Sequence, residues 1–145
     1  VSRAAVEPGG NVWIGIRVTI QDGYHINSWQ PTLDYLVPTR LYPDLPDGFT
    51  QVRESYPAAL DYQPEHAPET LQVYEGTVLF GLELQVGADV TPGAHIIRLT
   101  LSLQPCNDQQ CFPPLEARMR FSVDVAPTGG AEQHQEVFNA IRAQA

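Results

Sequence analysis

A chain of 145 residues with 43% apolar side chains is long enough for one domain that buries about two thirds of the surface its unfolded form exposes, so folding does not require a disulfide. Acidic residues outnumber basic ones 17 to 8, the net charge is -9, and every basic residue is an arginine standing apart from the others or nearly so; this excludes the clustered positive footprint of a nucleic-acid binder. No apolar run reaches the roughly 18 to 20 residues of a membrane-spanning helix and no charged-then-apolar leader opens the chain, so the segment reads as soluble, and a start at Val1 rather than Met suggests a processed product or an excised domain.

Taken in order, the segments have period two almost throughout. A weak strand candidate at 4–6 precedes NVWIGIRVTI at 11–20, which sets Val12, Ile14, Ile16, Val18 and Ile20 on one face and Trp13, Gly15, Arg17 and Thr19 on the other. That is the pattern of a half-buried strand. The QDG turn at 21–23 leads to weaker candidates at 24–27 and 39–42, and the PDG turn at 46–48 to others at 50–55 and 71–74. After YEG at 74–76, TVLFGLELQV aligns Val78, Phe80, Leu82, Leu84 and Val86; after TPG at 91–93, IIRLTLSL aligns Ile97, Leu99, Leu101 and Leu103. LEARMRFSVDV then puts Leu115, Ala117, Met119, Phe121, Val123 and Val125 together. Turn residues separate these runs for reasons of backbone geometry.

Many short one-sided strands, with 13 prolines placed in connections, predict an all-β, immunoglobulin-like antiparallel sandwich. The widely spaced Cys, Trp, Cys pattern of antibody domains is missing, so the cysteines are not an inter-sheet bridge. Only the end changes period. After PTGG, AEQHQEVFNAIRAQA places Val137, Phe138 and Ile141 at helical spacing, which predicts a domain over 1–127 and a linker or short, weakly docked helical tail over 128–145.

Both cysteines, Cys106 and Cys111, fall in the connection QPCNDQQCFPP between two alternating runs. Three uses compete: a structural staple, a redox pair and half of a metal site. A staple closing so short a loop is worth only roughly 2 kcal/mol in chain entropy. A closed metal site wants paired ligand spacings, and His25, His66, His95 and His134 supply no HxxxH or second cysteine pair. His25 and His95 read as packed or surface histidines, and Trp13, Trp29, Tyr24 and Tyr35 as core or edge aromatics, with an aromatic near the cysteines as a conceivable shield.

The stretch PCNDQQCFPP, flanked by alternating strands, resembles the cysteine motif of the periplasmic N-terminal domain family of the thiol:disulfide interchange protein DsbD, the disulfide bond corrector family. DGYHINSWQP at 22–31 is similar to the family's aromatic turn into a strand, and LQVYEGTVLFGLEL at 71–84 to its tyrosine, turn and long central strand. The resemblance covers 12–125 in the right order. It implies a carrier of reducing equivalents: a protein-disulfide reductase domain of a larger periplasmic protein, tethered to a membrane domain outside this chain. A thioredoxin-like domain reduces it, and it in turn reduces disulfide isomerases or cytochrome c maturation proteins. No cofactor and no metal are implied. By motif, Cys106 and Cys111 are the redox couple, with Cys111 forming the mixed disulfide and Cys106 resolving it. The family's cap loop corresponds to YPAALDYQPEHAPET, which offers Tyr62 as the shield.

Thiol chemistry bears on the same residues. Exchange needs a thiolate and access to a sulfur. No basic residue lies between Arg98 and Arg118, and Asp108 inside the loop opposes a thiolate, so activation is expected to come from the partner. Asp108 is also placed to shuttle a thiol proton. Pro113 and Pro114 delay strand pairing beyond Cys111 and keep the connection accessible. The competing function is a non-catalytic immunoglobulin-like binding module with a structural disulfide.

Overall fold

The computed structural model describes residues 1–65 and 67–145; His66 lies outside the described residues. The described residues form ten strands and one helix in chain order: β1 (Asn11–Thr19), β2 (His25–Asn27), β3 (Arg40–Asp44), β4 (Phe49–Ser55), β5 (Leu60–Tyr62), β6 (Leu71–Tyr74), β7 (Thr77–Val86), β8 (Gly93–Leu103), β9 (Pro105–Cys106), β10 (Leu115–Val125) and α1 (Gln135–Gln144). Two three-stranded sheets, β1-β7-β4 and β10-β8-β3, form the sandwich, and a four-stranded sheet, β5-β6-β2-β9, completes the fold. Every strand pair is antiparallel, as one-sided alternation requires.

Register follows the apolar faces. Ile16 pairs with Phe80, and Ile14 with Leu82; Leu101 pairs with Leu41 on one side and with Ala117 on the other. Slipping any of these ladders by one residue would turn an apolar row to solvent. The inner faces meet in one cluster in which Ile14, Phe80, Leu82, Leu84, Ile97 and Leu99 are sealed from solvent. The alternation therefore places the core as the sequence predicts, with one exception. Leu115 is 55% exposed and Ala117 is exposed, both at the start of β10, an edge strand of its sheet.

Three further differences have physical causes. Two prolines lie inside strands, Pro43 in β3 and Pro105 in β9. Both strands are sheet edges, where a missing N–H costs no ladder bond. The 4–6 segment is not a strand; Arg3 and Val6 make isolated bridges to Glu132 and Val125. Strands β5 and β9 carry too few residues to show a period, and only their neighbours β6 and β2 make them strands.

The outer face of β1 and β7 is covered by α1. Its stripe is as narrow as the sequence indicates, yet Phe138 and Ile141 are buried against Trp13. Glycines make this possible: a methyl at Gly15 would stand 2.8 Å from Ile141 Cδ1, and one at Gly81 would overlap Ile141 Cγ2. The Ser55 hydroxyl donates to the Ile141 carbonyl at 2.7 Å, and the Gln144 amide to the Leu79 carbonyl at 3.0 Å. No helix among the described residues is long and apolar enough to cross a membrane.

The four-stranded sheet gathers at one end of the sandwich. β2 follows the end of β1, β6 precedes the start of β7, and β9 follows the end of β8. Thr19 of β1 and Thr77 of β7 are paired, so these junctions lie together. The cysteine connection is part of this end sheet.

Candidate functional site

The site begins with a two-residue strand. Cys106 and Pro105 of β9 pair with His25 and Ile26 of β2, so the end sheet fixes the first cysteine by its backbone. The chain then reverses through 107–110. Asn107 builds this turn: its N–H donates to the Gln110 carbonyl at 2.8 Å, and its side-chain oxygen accepts the N–H groups of Gln109 and Gln110 at 2.9 and 2.8 Å. Such self-capping is what asparagine does in tight turns. Cys111 returns opposite Cys106 in an isolated antiparallel bridge, with the α-carbons 4.0 Å apart and the two sulfurs bonded. Phe112 donates its N–H to the Pro105 carbonyl at 2.9 Å. Pro113 and Pro114 follow outside any ladder, and β10 starts only at Leu115.

The two sulfurs are held in unlike surroundings. Cys106 is 2% exposed, whereas Cys111 is exposed. An incoming nucleophile therefore meets Cys111 first.

Around the bridge the end sheet assembles residues far apart in sequence. Tyr62, the last residue of β5, packs its ring against His25 at a tilt of 39° with centroids 4.3 Å apart and donates its hydroxyl to Asp108 Oδ1 at 2.7 Å. This contact ties β5 to the cysteine turn. The hydrogen bond to the carboxylate is the main reason the Tyr62 phenol is pushed up to about 12. His25 is buried, and burial holds its imidazole below the usual histidine value against the opposing pull of Glu75 and Asp108. Beside it opens a polar cleft bordered by Asp22, Tyr24, His25, Glu75 and Asp108. An apolar cleft of about 400 Å³ adjoins the bridge, lined by Val18, Ile20, Tyr24, Leu103, Pro105 and Phe112 among others; the Tyr24 and Phe112 rings stand 5.9 Å apart there. Among the described residues no group of histidine, cysteine and carboxylate side chains is arranged to hold a metal ion.

A family model described as thiol:disulfide interchange protein DsbD, N-terminal, matches residues 1–122. The chain belongs to this family. Among solved structures, the DsbD N-terminal domain of Neisseria meningitidis in the reduced form superposes with a TM-score of 0.50. The match covers 85% of this chain and 83% of that one at 18% sequence identity, a level at which the shared property is the fold. No curated protein matches the chain. The cysteine pair thus sits in a DsbD-type immunoglobulin-like domain, a thiol:disulfide interchange module.

Of the residues singled out by sequence, Cys106, Cys111, Asp108 and Tyr62 are all brought to one end of the domain. His95 stands elsewhere, its ring Nε2 donating to the Thr91 carbonyl at 2.8 Å. Trp29 stacks on Tyr56 in the core at 5.1 Å, Trp13 lies under α1, and Tyr35 is 79% exposed. Tyr24 is the aromatic of that group that reaches the cysteine end. Sequence reading does not single out Asn107 and takes His25 as a packed or surface histidine; the structure buries His25 and places both residues beside the cysteine pair. The N-D-Q-Q turn was legible for Asn107; the pairing of His25 with Cys106 is a long-range register with no local signal.

Proposed function

We propose that this domain relays reducing equivalents through a reversible Cys106–Cys111 bridge, taking them from a thioredoxin-like dithiol and passing them to oxidised partner proteins. The observation that carries this reading is the bridge itself, which joins an exposed Cys111 to a buried Cys106. In the reducing direction, a partner thiolate bonds to Cys111 Sγ and Cys106 Sγ leaves; a second partner thiol then frees Cys111 and closes the partner's own disulfide. With oxidised clients the steps run in reverse, Cys111 attacking and Cys106 resolving.

Within that scheme Tyr62 is the shield. It covers the sheet beside Cys106 while its hydroxyl is held by Asp108. Asp108 is exposed and hands protons between the site and water. The proposed setting is the periplasm, as one domain of a larger reductase with a membrane domain and a thioredoxin-like domain. Oxidised disulfide isomerases and cytochrome c maturation proteins are the proposed clients. The domain is assigned to 1–127, with 128–145 as a short helical tail whose α1 packs back on β1 and β7.

Redox titration against glutathione and thioredoxin buffers, read by thiol trapping, tests the relay. Reduction of the bridge within the span of those buffers is the expected result. A pair that stays oxidised down to about -300 mV would identify a structural disulfide instead and leave a non-catalytic binding module.

A further inference from the structure

The buried member of the cysteine couple has a titratable neighbour placed there by the sheet. His25 in β2 and Cys106 in β9 are direct partners in the antiparallel register. Residues so paired project to the same face with β-carbons about 4.5 to 5.5 Å apart. The His25 side is covered by the Tyr62 ring, and His25 is 4% exposed. Its remaining border is the cleft shared with Asp22, Glu75 and Asp108. Histidine is the side chain that gives and takes a proton near neutrality.

Exchange chemistry makes a demand at this point. When the bridge is reduced, the bond between Cys111 Sγ and Cys106 Sγ breaks and its electron pair departs on Cys106. That sulfur is buried, carboxylates border the adjoining cleft, and no arginine lines it. An uncompensated thiolate in such a place is costly.

We infer that His25 is the proton donor to Cys106 Sγ as the bridge opens and the proton acceptor from it as the bridge closes. In opening, the partner thiolate bonds to Cys111 Sγ, the intramolecular S–S bond breaks, and the imidazolium proton passes to the departing Cys106 sulfur. In closing, neutral imidazole takes the Cys106 S–H proton. The resulting thiolate attacks Cys111 Sγ of the mixed disulfide, and the partner's sulfur leaves with the electron pair of the intermolecular bond. Closing completes the passage of two electrons from the cysteine pair to a partner disulfide, and opening by a partner dithiol returns two electrons to the pair. The proton reaches water by way of the carboxylate-lined cleft. Burial lowers the imidazole pKa, and the carboxylates of Glu75 and Asp108 oppose that pull.

This inference rests on the redox reading of the same site, and the two fail differently. The test is reduction of the oxidised protein by dithiothreitol from about pH 5.5 to 9, with each rate divided by the reagent's thiolate fraction. For the unaltered protein the corrected rate is expected to fall as pH rises through the imidazole titration. His25→Gln should give a flat profile, lower by about 10-fold at the acid end; this is less than usual for general-acid help because a thiolate already leaves well. Superimposed profiles would overturn the inference and leave the redox reading standing. A bridge that resists the reagent at every pH in the unaltered protein would overturn both.

A second measurement covers the case in which His25→Gln does not fold. In the unaltered protein, NMR titration of the His25 ring is expected to give different midpoints in the disulfide and dithiol forms, because neighbouring titrating groups move as a pair. The Cys106 β-carbon of the dithiol form should show an inflection at the His25 midpoint. An unmoved midpoint with no such inflection would equally overturn the assignment.

Discussion

Cys106 and Cys111 share one bond and almost nothing else. The exposed sulfur is followed by Phe112 and two prolines that hold the chain off the ladder, while the buried one is pinned to β2. Access decides which sulfur exchanges. Cys106→Ser should therefore trap a stable mixed disulfide through Cys111 when mixed with a single-cysteine thioredoxin-like partner activated as a disulfide. Cys111→Ser should trap at least about 10-fold less in the same time, since the remaining thiol is enclosed. Adduct yields on a non-reducing gel at matched pH decide it; equal yields, or a preference for Cys106, would reverse the roles. A second expectation concerns stability and pH. Because burial lowers the imidazole value of His25 in the folded protein, the unfolded chain binds that proton more readily. Stability from this residue is thus full above the ordinary histidine value of about 6.5 and is lost as pH falls through the lower folded value. Urea midpoints measured between about pH 4.5 and 7.5 should decline less steeply toward acid in His25→Gln than in the parent. Parallel declines would show that His25 does not carry this linkage.

Strands with long one-sided alternation need little more than their own residues to be recognised, and β1, β7 and β8 lie where their apolar faces predict. The elements that make the site differ in kind. β9 has two residues and β2 and β5 have three, too few for a period to form. Tyr62 reaches Asp108 across 46 positions of sequence, a distance that only the register of the end sheet closes. The cysteine connection was legible because Pro113 and Pro114 act locally; the His25–Cys106 pairing was not, because it depends on where two other strands end. The helix α1 shows a third situation. Its stripe of Val137, Phe138 and Ile141 indicates a weak contact, and what seats it is the absence of side chains at Gly15 and Gly81 on another element. Gly81→Ala should accordingly force Ile141 and Trp13 aside and cost about 1 to 3 kcal/mol in denaturant unfolding, the usual range for overpacking. Ile141→Ala should cost about 2 to 4 kcal/mol by itself through the cavity it leaves. The double variant should lose clearly less than the sum, because the new methyl occupies space the isoleucine vacates. Strict additivity would mean that α1 does not bear on Gly81 in solution.

For the molecule as a whole, the question is how far the reactive end and the folded core depend on each other. The main core cluster is drawn from both sandwich sheets, from Ile14 and Leu82 on one side to Ile97 and Leu99 on the other. Cys106 and Cys111 are outside it, on a connection that leaves β8 after Leu103 and rejoins at Leu115. Their bond closes a loop with a sequence separation of 5, so the chain-entropy contribution is only roughly 2 kcal/mol. The turn also has supports that involve no sulfur: the Asn107 self-cap and the Phe112 to Pro105 bond. A domain that cycles between disulfide and dithiol requires this separation, since a fold leaning on the bridge would loosen each time it was reduced. The Cys106→Ser, Cys111→Ser double variant should therefore lose no more than roughly 2 kcal/mol on denaturant unfolding with an unchanged m-value. Its α1 packing, read by Trp13 fluorescence, should match the parent in the absence of denaturant. A larger loss, or a non-cooperative transition, would show that the bridge carries the fold, and a relay through it would then entail partial unfolding at every turnover.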